Sequence, residues 1–216
     1  MADASLASVP ANHDVDRPTL VRTAFRLEML TLAWMAIEAM VAIGAGIVAG
    51  SLTVTAFGVD SVIELGSAVV LIWRLSVELR DGRAFPEAIE HRASRVAGVL
   101  LFALAAYIFV AAGWRLWSRA GGEFSLPGLI VAALAIPVMY LLARRKLAVA
   151  QQLGSRAMRA DAAESAACLW LSLVVVVGQG AELAIGAWWV DPVASLGVLW
   201  FILHEAREAW SGEACC

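Results

Sequence analysis

Asp60 and Glu64 stand four residues apart inside a long apolar run, Leu52 to Leu75. On a helix this spacing puts both carboxylates on one face, where they repel each other. A charge at the centre of a bilayer costs about 2.5–3.5 kcal/mol on insertion scales. Such a pair requires something positive between its members: a metal ion, protons, or each in turn. A second set repeats the pattern. Glu164 and Cys168 are again four apart, and Asp161 lies three before Glu164. Glu38 sits near the centre of the first apolar stretch and could act as a ligand, a proton carrier or a helix-pairing residue. Two groups from each of two helices would form a tetrahedral site, with carboxylate oxygen at about 2.0–2.2 Å and thiolate sulfur at about 2.3 Å. Carboxylates alone suit Mg²⁺, Mn²⁺ or Ca²⁺; a thiolate moves the preference toward Zn²⁺ or Cd²⁺. A cation entering this site must displace protons from its ligands. If the site opens alternately to two faces, exchange of metal for protons follows from that competition.

The elements that must position these groups are membrane helices. The chain is 61% hydrophobic and 16% charged, with a mean hydropathy of +0.78, where a soluble domain carries about 25% charge. A spanning helix needs about 20 mostly apolar residues. Six stretches qualify: Glu28–Ala49, Leu52–Leu75, Ala93–Trp117, Leu126–Leu147, Met158–Glu182 and Ala187–Trp210. The expected fold is an all-α membrane protein of six transmembrane helices with no extramembranous domain. Residues 1–25 are polar, lack the apolar core of a signal peptide and are expected to form a disordered cytoplasmic tail. Residues 26–212 form the six-helix unit, and residues 213–216 a short tail. With both termini cytoplasmic, all 16 basic residues except Arg115 and Arg119 fall on the cytoplasmic side, in the sense of the positive-inside rule. This orientation is expected in a bacterial inner membrane.

Counting about 1.5 Å per residue from each cytoplasmic end places Asp60 at a depth of about 22 Å, Glu64 at about 16 Å, Glu164 at about 9 Å, and Cys168 and Glu38 at about 15 Å. Helices two and five side by side then bring these groups toward the midplane. Trp114, Trp117, Trp188 and Trp189 read as anchors at the outer interface and Trp73 and Trp210 at the inner one, with Trp34, Trp170 and Trp200 packing between helices. Gly44, Gly46 and Gly50 allow close helix approach. Pro137 should kink the fourth helix. Glu182 lies at an outer helix end, Asp191 before Pro192 reads as a cap for the sixth helix, and His204 and Glu205 read as interfacial. His13 and His91 fall in tail and loop. Three cysteines make no disulfide framework, and the Cys215–Cys216 pair reads as a frayed end.

At its polar residues the chain resembles the cation diffusion facilitator family of proton-coupled divalent-metal transporters. The likeness covers about Phe25 to Gly212. It is carried by Gly50-Ser51-Leu52 and Val59-Asp60-Ser61-Val62-Ile63-Glu64, by the run from Arg159 through Asp161 and Glu164 to Cys168, and by Trp189-Val190-Asp191-Pro192. The resemblance implies a metal site on helices two and five formed by Asp60, Glu64, Glu164 and Cys168, with Asp161 matching an acidic residue that commonly precedes the second pair. Glu164 and Cys168 replace the family's usual His and Asp. The family's cytoplasmic C-terminal metal-binding domain and its His-rich loop between helices four and five are not in this sequence, so a homodimer, expected from the resemblance, would be held by membrane helices.

Residue chemistry and resemblance together give the expected function: a secondary transporter exporting divalent transition-metal cations, Zn²⁺ first and also Cd²⁺, with Co²⁺, Ni²⁺, Mn²⁺ and Fe²⁺ as further cargo, by proton antiport. The alternative is a non-transporting membrane protein that binds or senses metal. No nucleophile–base pair, HExxH or Gly-rich phosphate loop supports an enzyme, and no prosthetic group is implied. The net charge of −3, without a basic cluster interleaved with aromatics, gives no nucleic-acid surface. The basic residues all fall near the ends of the spans or outside them, so no intramembrane Arg or Lys is expected to hold an anionic solute.

Overall fold

A computed structural model describes residues 17–81 and 87–211. His13, Cys215, Cys216 and Arg83 lie outside the described residues, as does the tail 213–216. Six α-helices make up the fold: α1 Arg17–Ala49, α2 Leu52–Asp81, α3 Glu87–Ser118, α4 Leu126–Leu153, α5 Arg156–Ile185 and α6 Val190–Ser211. No strand occurs among the described residues. This is an all-α membrane protein. Five of the helices contain a stretch long and apolar enough to cross a bilayer. The sixth spans 22 residues but carries Asp191, Glu205, Arg207 and Glu208.

Most of the helices run past the apolar stretches read from the sequence. The first starts at Arg17, inside the segment expected to be a tail. Hydropathy marks where a helix meets lipid; the backbone hydrogen-bond ladder continues until something breaks it. The breaks here are short. Gly50, Gly154 and Gly186 adopt φ of 61°, 63° and 60°, the left-handed conformation that closes a helix and that glycine adopts without a Cβ clash. Ser125 and Ser155 then start α4 and α5, their hydroxyls accepting from the amides of Gly128 and Met158. The turn of Gly50 and Ser51 folds α1 against α2, and that of Gly154 and Ser155 folds α4 against α5. The third helix packs on α6, α1 also meets α4, and α2 touches α1, α3, α5 and α6.

The core fills the space around α2 with Phe57, Ile108, Met139, Leu171, Val175 and Ile202. Apolar side chains such as Val48, Val110, Trp117 and Val177 cover the outside, where lipid is the solvent. Trp170 and Trp200 belong to this outer surface, not to helix–helix contacts as expected: both point away from the core stripe of their helices. Of the three glycines expected at a close helix approach, Gly46 makes it. A Cβ there would lie 2.5 Å from Thr55 Oγ1. Gly58, on α2 against Ala42 and Ile43 of α1, leaves equally little room, 2.7 Å to the Ile43 amide nitrogen. Gly44 faces open space, and Gly50 serves the turn. The fourth helix continues unbroken through Pro137.

These contacts separate the glycines by role. Gly46→Ala and Gly58→Ala are each expected to destabilise the bundle by about 1–3 kcal/mol through overpacking. Gly44→Ala should be neutral or slightly stabilising, by up to about 1 kcal/mol. Thermal unfolding in detergent, followed by tryptophan fluorescence, separates the three.

Candidate metal centre

The first helix shows how the polar groups reach the interior. Val21, Ala24, Glu28, Thr31, Met35, Glu38 and Ala42 are buried at alternating steps of three and four, with Ala39 beside them and Gly46 beyond, so that one seam forms. Two carboxylates are therefore carried into the core by the same register as the apolar side chains. The second helix adds Asp60 and Glu64. In the sixth, Ser195, Val198, Ile202, Glu205 and Ala206 line the buried face.

Asp60, Glu64 and Glu205 meet there. One carboxylate oxygen from each lies within 4.8 Å of the other two. The residues are 1%, 6% and 8% exposed. Both oxygens of Asp60, both of Glu64 and Oε1 of Glu205 have no hydrogen-bond partner. Two unit charges at that separation repel by about 3.5 kcal/mol at an effective dielectric constant of about 20. Three such pairs would cost about 10 kcal/mol, comparable to the whole stability of a folded domain. Three bare anions cannot persist in this geometry. The trio must carry protons or a cation, and its all-oxygen donor set suits a divalent ion.

The other acidic groups are placed differently. Glu38 is fully supplied with donors: Trp34 Nε1 donates to Oε2 at 2.7 Å, and Ser61 Oγ donates to Oε1 at 2.7 Å. The Cys168 thiol also points at Oε1, 3.7 Å away. Glu38 thus ties α1 to α2 and α5, and Cys168, in contact with it, also lies within electrostatic reach of Glu64, Asp60 and Glu205. Glu164 accepts from Ser67 Oγ at 3.4 Å. It shares with Glu64, Asp161 and Thr31 a cavity of about 10 Å³, room for about one water-sized sphere. Asp161 is bound to Lys146, whose Nζ lies 2.5 Å from Asp161 Oδ2 and 3.2 Å from Glu28 Oε2.

Two expectations are corrected here. Glu205 is not interfacial: it stands on the core stripe one turn beyond Ile202. Nor is the interior free of basic residues. Lys146, counted with the arginines beside it as a loop charge, has a fully buried side chain. It follows Met139 and Leu142 on the buried face of α4, a periodicity visible in the sequence. With two carboxylates around it, this ammonium is not available to an anionic solute.

At the opposite end of the bundle Asp191 closes a polar knot. It was expected to cap α6, but its carboxylate caps α2, accepting from Ser51 Oγ at 2.6 Å, Leu52 N at 2.8 Å and Thr53 N at 3.2 Å. Arg115 pairs with it at 3.1 Å and also donates to the Gly50 carbonyl. Gln179 joins α5 to the knot by donating to Ser51 Oγ and accepting from Ser125 N. The start of a helix is electropositive, so a carboxylate is well placed there. His204, by contrast, is exposed, stacked on Trp200 and paired with Glu208, as an interfacial residue should be.

Comparison with known proteins agrees with this architecture. Residues 29–211 match the family described as the cation efflux transmembrane domain. A 182-residue alignment with an uncharacterized transporter of Synechocystis sp. (strain ATCC 27184 / PCC 6803 / Kazusa) is 29% identical, covering 78% of this chain and 57% of the relative. The chain therefore spans little more than half the length of that transporter.

Removing the acceptor at the centre of the knot tests its structural role. Asp191→Ala leaves the Arg115 guanidinium and the first amides of α2 without their carboxylate and should lower stability by about 3–5 kcal/mol, the range for breaking a buried ion pair. Denaturation in detergent, compared with an exposed-site control such as Glu123→Ala, reads the loss.

Proposed function

This chain belongs to the cation efflux family, and we propose that it is a secondary transporter that exports divalent transition-metal cations from the cytoplasm in exchange for protons. The observation that carries the reading is the meeting of Asp60, Glu64 and Glu205 as buried carboxylates, five of whose six oxygens have no hydrogen-bond partner. Their repulsion makes the cluster a site that always carries positive charge, and the two available forms are a divalent ion and protons. Binding the ion expels the protons. Glu164, across the small cavity from Glu64, is placed to supply a further oxygen.

The donor set narrows the cargo. Zn²⁺ is bound by carboxylate oxygen as well as by nitrogen and sulfur; oxygen donors alone also suit Mg²⁺ and Mn²⁺, and the family likeness is what puts Zn²⁺ first. The expected Cd²⁺ transport rested on a Cys168 thiolate. That thiol touches Glu38 and lies within electrostatic reach of Glu64, Asp60 and Glu205, which supports Zn²⁺ first and Cd²⁺ after it. The distribution of arginines supports cytoplasmic termini and a bacterial inner membrane, and the family likeness supports a homodimer.

Proteoliposomes with an acidic lumen provide the test. Wild type is expected to take up Zn²⁺ while releasing protons, and Asp60→Asn and Glu205→Gln should each reduce the rate at least ten-fold. Cys168→Ser should keep Zn²⁺ flux within about two-fold. Zn²⁺ binding without flux in wild type would establish a non-transporting metal-binding protein instead.

A further inference from the structure

We propose that Lys146 is a tethered cation filling a second carboxylate site, formed by Glu28 and Asp161 beside Glu164, and that it thereby confines the transported ion to Asp60, Glu64 and Glu205. The proposal rests on the reading of that trio as the cargo site.

The two sites are neighbours. Asp161 and Glu164 line the same small cavity as Glu64, and Glu164 lies within electrostatic reach of both Asp161 and Lys146. Without a basic group, a divalent ion arriving in this cavity would meet carboxylates on both sides. Lys146 removes one side from competition. Its Nζ contacts Glu28 Oε2 and Asp161 Oδ2 from a side chain that is itself wholly buried.

The balance of charge in this second site is incomplete in an informative way. One ammonium stands against two carboxylates that also lie against each other, and no donor reaches the buried Glu28 Oε1. A divalent ion would neutralise both and could use that oxygen. The site is thus shaped for more positive charge than the lysine provides, while the lysine keeps it filled by a cation that cannot leave. A plain brace between α1, α4 and α5 would not need these groups, since apolar residues of similar volume hold helices together at least as well as a buried ion pair.

Counting bound ions distinguishes a tethered cation from a brace. Purified full-length protein in nanodiscs is equilibrated with Zn²⁺, and bound metal per chain is measured by dialysis and elemental analysis. Wild type and Lys146→Arg are expected to bind one ion. Lys146→Gln should bind two, and adding Asp161→Asn to it should restore one. A single ion on folded Lys146→Gln, bound with wild-type affinity, would overturn the proposal. If Lys146→Gln is unstable as purified, Zn²⁺ should raise its melting temperature more than that of wild type, because the metal replaces the missing ammonium. Failure of Zn²⁺ to do so would favour the brace and also overturn the proposal. Absence of bound Zn²⁺ on wild type would instead count against the cargo site itself.

Discussion

A carboxylate withdrawn from water must be given hydrogen-bond donors, a fixed countercharge, or a mobile one. All three solutions occur within this one bundle. Glu38 and Asp191 are supplied with donors from other helices. Glu28 and Asp161 share an ammonium. Both oxygens of Asp60 and of Glu64, and Oε1 of Glu205, are given neither. The distinction matters because the first two solutions are permanent parts of the fold, whereas the third has to be met from outside it. A site for a cation that comes and goes is defined as much by the neighbours that are already satisfied as by the groups that are not.

The packing that permits this is centred on α2. It packs on α1, α3, α5 and α6 and meets α4 where Val54 lies against Gly128, so its side chains face several partners at once, and small residues bring those partners close. The Gly46 and Gly58 contacts leave no room for a methyl group between α1 and α2. This proximity is what lets Ser61 on α2 reach Glu38 on α1, and the contact between α2 and α6 brings Glu205 to Asp60 and Glu64.

Much of this was legible in the residues. The spacing of Asp60 and Glu64 inside an apolar run picked out two of the three carboxylates that cluster, and the six apolar stretches located the helices. Two limits of one-dimensional reading account for what was missed. Hydropathy and charge counting treat Lys146 and Glu205 as members of a charged segment, since each has charged neighbours, yet helical periodicity rotates those neighbours outward and these two inward. Register along a single helix also says nothing about which other helix a side chain faces. Glu164 and Cys168 do share a stripe, but that stripe meets α2 and α1 at different heights, so one borders the cavity beside Glu64 and the other faces Glu38.

The Asp191 knot joins positions far apart in the chain: its acceptor lies 139 residues after the Leu52 amide it binds. The same helix brings Glu205, the last of the three clustered carboxylates. The helix α2 therefore draws the acceptor for its first amides, and its acidic pair the third carboxylate, from α6, so neither arrangement is complete until that distant helix is in place.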